Sequence, residues 1–510
     1  MDIENFRMRK IAKATICLTL ALAILAIATA CTPKPPANTN GNGDDGFKKL
    51  IWGSMTEPVT LDPLSAQNTA DGRSILFNVF EGLVKPEPDG SLSNCLAQSY
   101  EIDEAALVYT FRIREGVLFH NGATLTAEDV KYSILQAQEQ SLPGLSAIEG
   151  IDANGMDLEV VLSAPDTFFL PYLTVGVVPD GYEDREANPV GTGPFYIASY
   201  SPQQNLVLAK HESYWKSGVP LLDEVVVKFA ADTGALLSSL QAGVIDGSNV
   251  NYVQAGQLDE SQFNFTNAQS ASVQALFLNN AVEPLDNINV RKAIAYAVDK
   301  GQIVQTVFNG HGTLAGSPMI PGLKQYVNND IADAYPTDIQ MAKSLLEKAG
   351  YPDGFELKIT IASNYTMHVD TGQMIVNQLE QIGIKGTIEL VDLATWLSST
   401  YRGRQYEATI ISVDGSLSPS SFMSRYQSQS ESNFVNYSSE KYDELFSRAI
   451  AAIDIDERIE LFKQAQQTLS DDVASVYLQD IDSIWAIKKE YSGIVDYPIY
   501  VFDFSKIVLD

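Results

Sequence analysis

From Lys48 onward the chain switches repeatedly between two hydrophobic periods, and this switching restricts its fold more than any other feature. Glu356 to Ala362 and Val225 to Phe229 read as short strands. Thr337 to Ala349, Tyr442 to Ile453 and Asp456 to Leu469 carry apolar residues at helical spacing. Side chains share a face every second residue in a strand and every 3.6 residues in a helix, so one segment cannot serve both. Strand and helix taken in turn, with no short sequence repeat, predict packed α/β domains rather than a solenoid. A chain of 510 residues has room for about two to four of them.

Local signals set many boundaries. Ser99 to Arg114 reads as a hairpin, alternating at Tyr109, Phe111 and Ile113. Thr126 is placed to cap a helix whose first turn holds Glu128 and Asp129, where negative charge suits the helix dipole. Ser74 to Val84 and Val290 to Val304 each show a helical face. Residues 158–164 and 387–391 read as strands, and 232–243 and 371–382 as helices; Gly350 and Gly383 are placed as stops.

The N-terminus reads differently. Arg7, Arg9, Lys10 and Lys13 precede an apolar run from Ala14 to Ala30, the pattern of a secretory leader. The run ends Ala28-Thr29-Ala30-Cys31 and resembles the lipobox of bacterial lipoproteins, with alanine where leucine is usual. That resemblance implies cleavage before Cys31 and acylation of its thiol. An uncleaved signal anchor and a secreted protein with an incidental cysteine are the alternatives. Residues 31–47 are rich in Pro, Asn and Gly and read as a flexible tether.

Composition narrows the function. With 64 acidic and 34 basic residues and a formal charge of −30, the surface repels phosphate backbones and anionic lipid, so neither a nucleic-acid partner nor a basic membrane-binding surface is expected. Any membrane attachment is expected through the lipid anchor alone. Cys95 is the single cysteine beyond Cys31, and no CxxC occurs. HExxH, GxSxG, Walker and EF-hand motifs are lacking. His120, His211, His311 and His368 are far apart in sequence and are expected in exposed loops, without metal spacing. The two SxxK matches, at Ser213–Lys216 and Ser438–Lys441, read better as packing residues and a helix cap. No catalytic residue, metal or cofactor is therefore assigned, although a lipid-anchored hydrolase stays as a lesser alternative.

Four segments, in order along nearly the whole body, resemble the extracellular solute-binding proteins of the peptide/nickel ABC-transporter family (family 5). They are Tyr109-Thr-Phe-Arg-Ile-Arg-Glu-Gly-Val-Leu-Phe-His-Asn-Gly122 with Leu125-Thr-Ala-Glu-Asp-Val130; Val190-Gly-Thr-Gly-Pro-Phe195 with His211-Glu-Ser-Tyr-Trp215; Val290-Arg-Lys-Ala-Ile-Ala-Tyr-Ala-Val-Asp299; and Ala349-Gly-Tyr-Pro-Asp-Gly-Phe355. Gly191 and Gly193 suit positive φ or close backbone approach, and Tyr214 and Trp215 suit a core.

The resemblance implies an α/β fold of the type II periplasmic-binding-protein kind, with two lobes around a hinged cleft and an extra domain on the first lobe. It assigns residues 1–30 to the signal peptide, 31–47 to the tether, 48–86 with 190–270 and 480–510 to lobe I, 87–189 to the extra domain, and 271–479 to lobe II. It also implies a monomer, outside the cytoplasmic membrane, that captures short peptides for a permease. Metal-chelate, haem or sugar binders and peptide-signal receptors share the pattern. In peptide-binding relatives an aspartate after a strand pairs with the peptide amine. Here Glu407-Ala-Thr-Ile-Ile-Ser-Val-Asp414 supplies Asp414, with a turn or capping role as its alternative. Trp396 matches an aromatic that lines the cleft, with core packing as its alternative.

Overall fold

Three sheets of four or more strands organise the chain. They are seen in a computed structural model that describes residues 46–510 apart from Thr69, Glu104, Ala106, Ser270 and Tyr500. The leader at 1–30, the lipidation candidate Cys31 and the tether up to residue 45 lie outside the described residues.

The first sheet has seven strands. Lys49–Ser54 runs parallel to Glu224–Phe229 on one side and Gly247–Val250 on the other. Glu224–Phe229 continues antiparallel through Asn205–Lys210 to Phe195–Ser201. Gly247–Val250 continues antiparallel through Ser483–Lys488 to Phe263–Ala268. In the six-stranded second sheet, Ser272–Leu278 is antiparallel to both Ala408–Asp414 and Ser475–Ile481. Glu356–Ala362 runs parallel to Ala408–Asp414 and Lys385–Val391. Helices Ile288–Ala297, Ile339–Ala349 and Thr366–Glu380 bury one face against this sheet, around Leu276, Ile359, Ile375 and Ile410. Burial on both sides explains why Ser272–Leu278 has no alternation and is buried throughout.

The chain passes between the two sheets twice, and the passages lie side by side. Phe263–Ala268 leads into Ser272–Leu278, and Ser475–Ile481 leads through Asp482 into Ser483–Lys488. Ala268 pairs with Ser483 in one sheet and Gln274 with Gln479 in the other. One two-stranded ribbon thus joins the two lobes.

The third sheet, of Ala97–Ile102, Val108–Ile113, Asp157–Leu162 and Ile148–Asn154, is antiparallel. Its Tyr109, Phe111 and Leu158 share one core with Leu50, Trp52 and Val225 of the first sheet. The following segment splits at adjacent residues. Phe169 enters that core, whereas Phe168 enters the core of the second lobe beside Tyr326 and Phe462.

Caps fix the helix starts where the sequence placed them. Thr126 and Asp129 form a capping box. Asp232 accepts the Ala235 N–H, and Ser439 accepts the Tyr442 N–H. Gly350 ends its helix in the left-handed region at φ 92°. Two helical readings change. Val290 to Val304 is two helices, Ile288–Ala297 and Lys300–Val307, because Val298 is extended and Asp299 caps a new helix by accepting Gln302 N–H at 2.7 Å. Ser74 to Val84 is helical only in Ala70–Leu76. Beyond it the Asn78 side-chain amide donates to Ile75 O (3.1 Å) and accepts Phe504 N–H (2.8 Å), tying the turn to the C-terminal tail.

Candidate functional site

A cavity of about 370 Å³ lies between the lobes, at the small end of the roughly 300–1,000 Å³ usual for solute pockets. Helix Ala70–Leu76 and the turn after it supply Arg73, Leu76, Phe77 and Phe80. Pro63, Pro86, Pro143 and Pro171 stiffen the same side, and Tyr172 stands among them. The second lobe supplies Ala271 and the loop Gly415–Ser418, with Ile499 and Val501 closing the wall. The loop is held by its own hydroxyls, Ser416 to Ser421 and Ser418 to Ser420, each at 2.7 Å.

Phe77 is braced from behind, with the Lys85 ammonium 4.4 Å from its ring centroid. Arg73 is exposed, and Nη2 donates to Asn68 O at 2.7 Å. Asn68 is itself fixed, accepting Thr60 N–H and donating to Asp62 O, both at 3.2 Å. The surrounding protein strips enough solvent from the guanidinium to lower its pKa from the usual arginine value.

Asp414 ends its strand opposite Ser272 and is exposed. It precedes Gly415, whose N–H donates to Ala271 O at 2.8 Å, so it stands at the cleft edge of the second lobe. It lines a neighbouring cavity of about 10 Å³ with Arg425 and Tyr426, no larger than one water, and is not among the residues lining the large one. Trp396 is buried: its indole N–H donates to Thr409 Oγ1 at 2.9 Å and its ring stacks near Tyr401. It too is absent from the lining of the large cavity. Arg73, Phe77 and Tyr172 carried no sequence signal, since a lone arginine on a short helix reads as a solvated face.

The histidines depart from the exposed positions expected of them. His211 and His368 are buried, and His120 and His311 are half-buried. His120 Nε2 and His211 Nδ1 both lie within hydrogen-bond reach of Gly193 O (3.1 and 3.2 Å), while His120 Nδ1 accepts Gly191 N–H. Burial pushes the pKa of His120 and of His368 down to about 4. These rings serve as neutral hydrogen-bonding parts of the fold. Among the described residues no group of three or more His, Cys, Asp or Glu could hold a metal, and no helix is long and apolar enough to cross a membrane.

Gly191 and Gly193 are sites of close approach. A Cβ on Gly191 would sit 2.1 Å from Val79 O, and one on Gly193 2.6 Å from Asn78 O. Glu81, buried next to them, accepts Tyr214 Oη (2.6 Å), Trp215 Nε1 (2.9 Å) and Thr192 Oγ1 (3.0 Å). The motif residues thus tie the segment 191–215 to the turn at residues 78–81 of the first lobe.

Residues 91–434 match the family described as bacterial extracellular solute-binding proteins, family 5 Middle. The chain belongs to this family. Heme-binding protein A of Haemophilus influenzae is 29% identical over 423 residues, which is 73% of this chain and 76% of that protein. Glutathione-binding protein GsiB of Pectobacterium atrosepticum is 26% identical over 480 residues, 88% of this chain and 91% of that protein. The structure of HbpA2 from Haemophilus parasuis superposes with a TM-score of 0.82 at 22% identity, over 91% of this chain and all of that one. The mixed α/β architecture, two lobes about a cleft, is the periplasmic-binding-protein fold of this family. Such proteins bind small solutes and work with the permease of an ABC transporter.

Proposed function

We propose that the protein captures short peptides outside the cytoplasmic membrane and passes them to its permease. The observation that carries this reading is the cavity of about 370 Å³ between the lobes, with Gly415–Ser418 forming one wall and Asp414 at the start of that loop. A carboxylate at the cleft edge offers charge and acceptors to a peptide ammonium. Trp396 supports the same wall from behind, through Thr409 on the strand that ends in Asp414. The two connections between the sheets, after Ala268 and at Asp482, serve as the hinge on which the lobes close. The extra domain at 87–189 rides on lobe I, and the protein works as a monomer held at the membrane by a lipid on Cys31.

Mass spectrometry of solute released from purified protein by denaturation tests the cargo. A mixture of short peptides is expected. A tetrapyrrole, a metal chelate or a sugar, with no binding to peptide mixtures, would overturn the peptide assignment and leave solute binding intact. Metabolic labelling with a radioactive fatty acid tests the anchor, and label retained after Cys31→Ser would remove it.

A further inference from the structure

We infer that Arg73 is the anchor for a carboxylate on the solute, whose remaining body is apolar. The inference rests on the reading of the interlobe cavity as the place of solute capture, and it names the chemistry that cavity takes.

The first observation is one of charge. The chain carries 64 acidic residues against 34 basic ones, yet no acidic residue is found among the described residues lining the cavity, and Arg73 is the charged one. The rest of the wall is mostly hydrocarbon and aromatic, with Leu76, Phe77, Phe80 and Leu417 among it.

The second is the state of the guanidinium. It has five N–H donors, and its hydrogen bond to Asn68 O uses one at Nη2. No carboxylate among the described residues acts on it, and burial alone moves its pKa. A guanidinium against apolar walls, with no counter-charge among the described residues, is left with unmet charge. A bound anion supplies the counter-charge, and apolar walls strengthen the resulting hydrogen bonds. Asn68 fixes the fork in advance, so little side-chain freedom is lost on binding.

The third is the count of charges. One guanidinium matches one carboxylate with two parallel hydrogen bonds. The second charge of a phosphate monoester would have no partner in the lining. Arg73 belongs to the first lobe and Asp414 to the second, so a zwitterion held by both would join the lobes.

The test uses calorimetry on the purified protein with four probes: Ala-Leu-Phe as free acid, its C-terminal amide, its N-acetyl form, and 4-phenylbutyrate. The amide is expected to bind wild type about tenfold or more weakly than the acid. Arg73→Gln should erase that difference by weakening the acid alone, and Arg73→Lys should keep part of it. The N-acetyl form should keep its dependence on Arg73 and lose affinity through Asp414. Equal binding of acid and amide to wild type, or discrimination that survives in Arg73→Gln, would overturn the inference. If neither peptide binds while 4-phenylbutyrate binds wild type and not Arg73→Gln, the peptide reading falls and the carboxylate anchor stands. If 4-phenylbutyrate also fails to bind, the anchor falls with it. Arg73 is exposed, so an unchanged melting temperature is expected to show that Arg73→Gln folds.

Discussion

The Phe168 ring meets the Phe462 ring edge-on, with centroids 5.1 Å apart and planes at 89°. The two residues come from opposite sides of the cleft. Phe168 leaves the segment whose next residue, Phe169, is packed into the first core, and it ends up buried in the second. Its neighbours hold it there: Thr167 Oγ1 donates to Ile450 O at 2.9 Å, and Arg458 Nη1 donates to Thr167 O at 3.1 Å. Removing a buried phenyl ring costs about 3–5 kcal/mol where the structure cannot relax. On the proposed hinge between the lobes, Phe168→Ala is expected to favour a more open arrangement. Small-angle scattering of the solute-free variant should give a larger radius of gyration than wild type, and solute should dissociate faster. Identical scattering curves would count against a latch at this position.

Glu81 presents a different case, since Thr192, Tyr214 and Trp215, which donate to it, lie on its own side of the cleft. Glu81→Leu leaves the Tyr214, Trp215 and Thr192 donors without an acceptor, at about 1–3 kcal/mol for each one that stays buried. Denaturant unfolding should show a loss of at least about 3 kcal/mol, and Glu81→Gln a smaller one. A Leu variant as stable as wild type would show that these donors find water instead.

Asp414 is exposed, so Asp414→Ala should fold normally. If it meets a peptide ammonium, affinity for Ala-Leu-Phe should fall by about 1.5–3 kcal/mol, a factor of roughly ten to a hundred and fifty. The N-acetyl peptide, which has no ammonium, should bind variant and wild type alike. Calorimetry with both peptides decides it, and a loss of equal size for the two would remove the amine contact.

Stability should respond to pH in two opposed ways. His120 and His368 titrate near 4 in the fold, below the usual histidine value of about 6.5. Their neutral forms are the ones folding favours. Their contribution is full above pH ~6.5 and is lost as pH falls toward 4, because the unfolded chain binds the protons first. Asp496 runs the other way. Burial raises its carboxyl to about 6, with Lys324 and Asp482 as nearby charges. The fold favours its protonated form, so its contribution is present below pH ~4 and is lost as pH rises through 6. Asp496→Asn should therefore raise the melting temperature at pH 7 and leave it nearly unchanged at pH 4. A gain of the same size at both would assign the effect to packing. An NMR titration should find His120 and His368 neutral at pH 5.

The sequence was most informative where the physics is local. Thr126, Asp232 and Ser439 cap helices because a side-chain oxygen two or three residues from an amide needs no other part of the chain. Gly350 stops its helix because only its own φ is at issue. The strand Glu356–Ala362 was readable from its period. Asp299 is the exception: its capping chemistry lies inside a longer helical face, so the period predicts one helix where there are two.

The candidate site was legible only in part, for the same reason turned round. The strand ending at Asp414 could be read, and it does reach the cleft edge. Whether a Trp, a His or an Arg faces ligand depends on segments that meet only in the folded chain. Trp396 finds Thr409 across two neighbouring elements and is buried. His120 meets His211 through Gly193. Arg73 becomes the charge of an apolar cavity only because Gly415–Ser418 of the other lobe closes over it. By itself, then, the sequence determined the α/β class, the helix caps and membership of the solute-binding family, all carried by short-range pattern. Only the tertiary structure decided which side chains line the cavity and that Phe168 and Phe169 part into two cores. Burial is a property of the distant surfaces that meet there, and no local pattern encodes them.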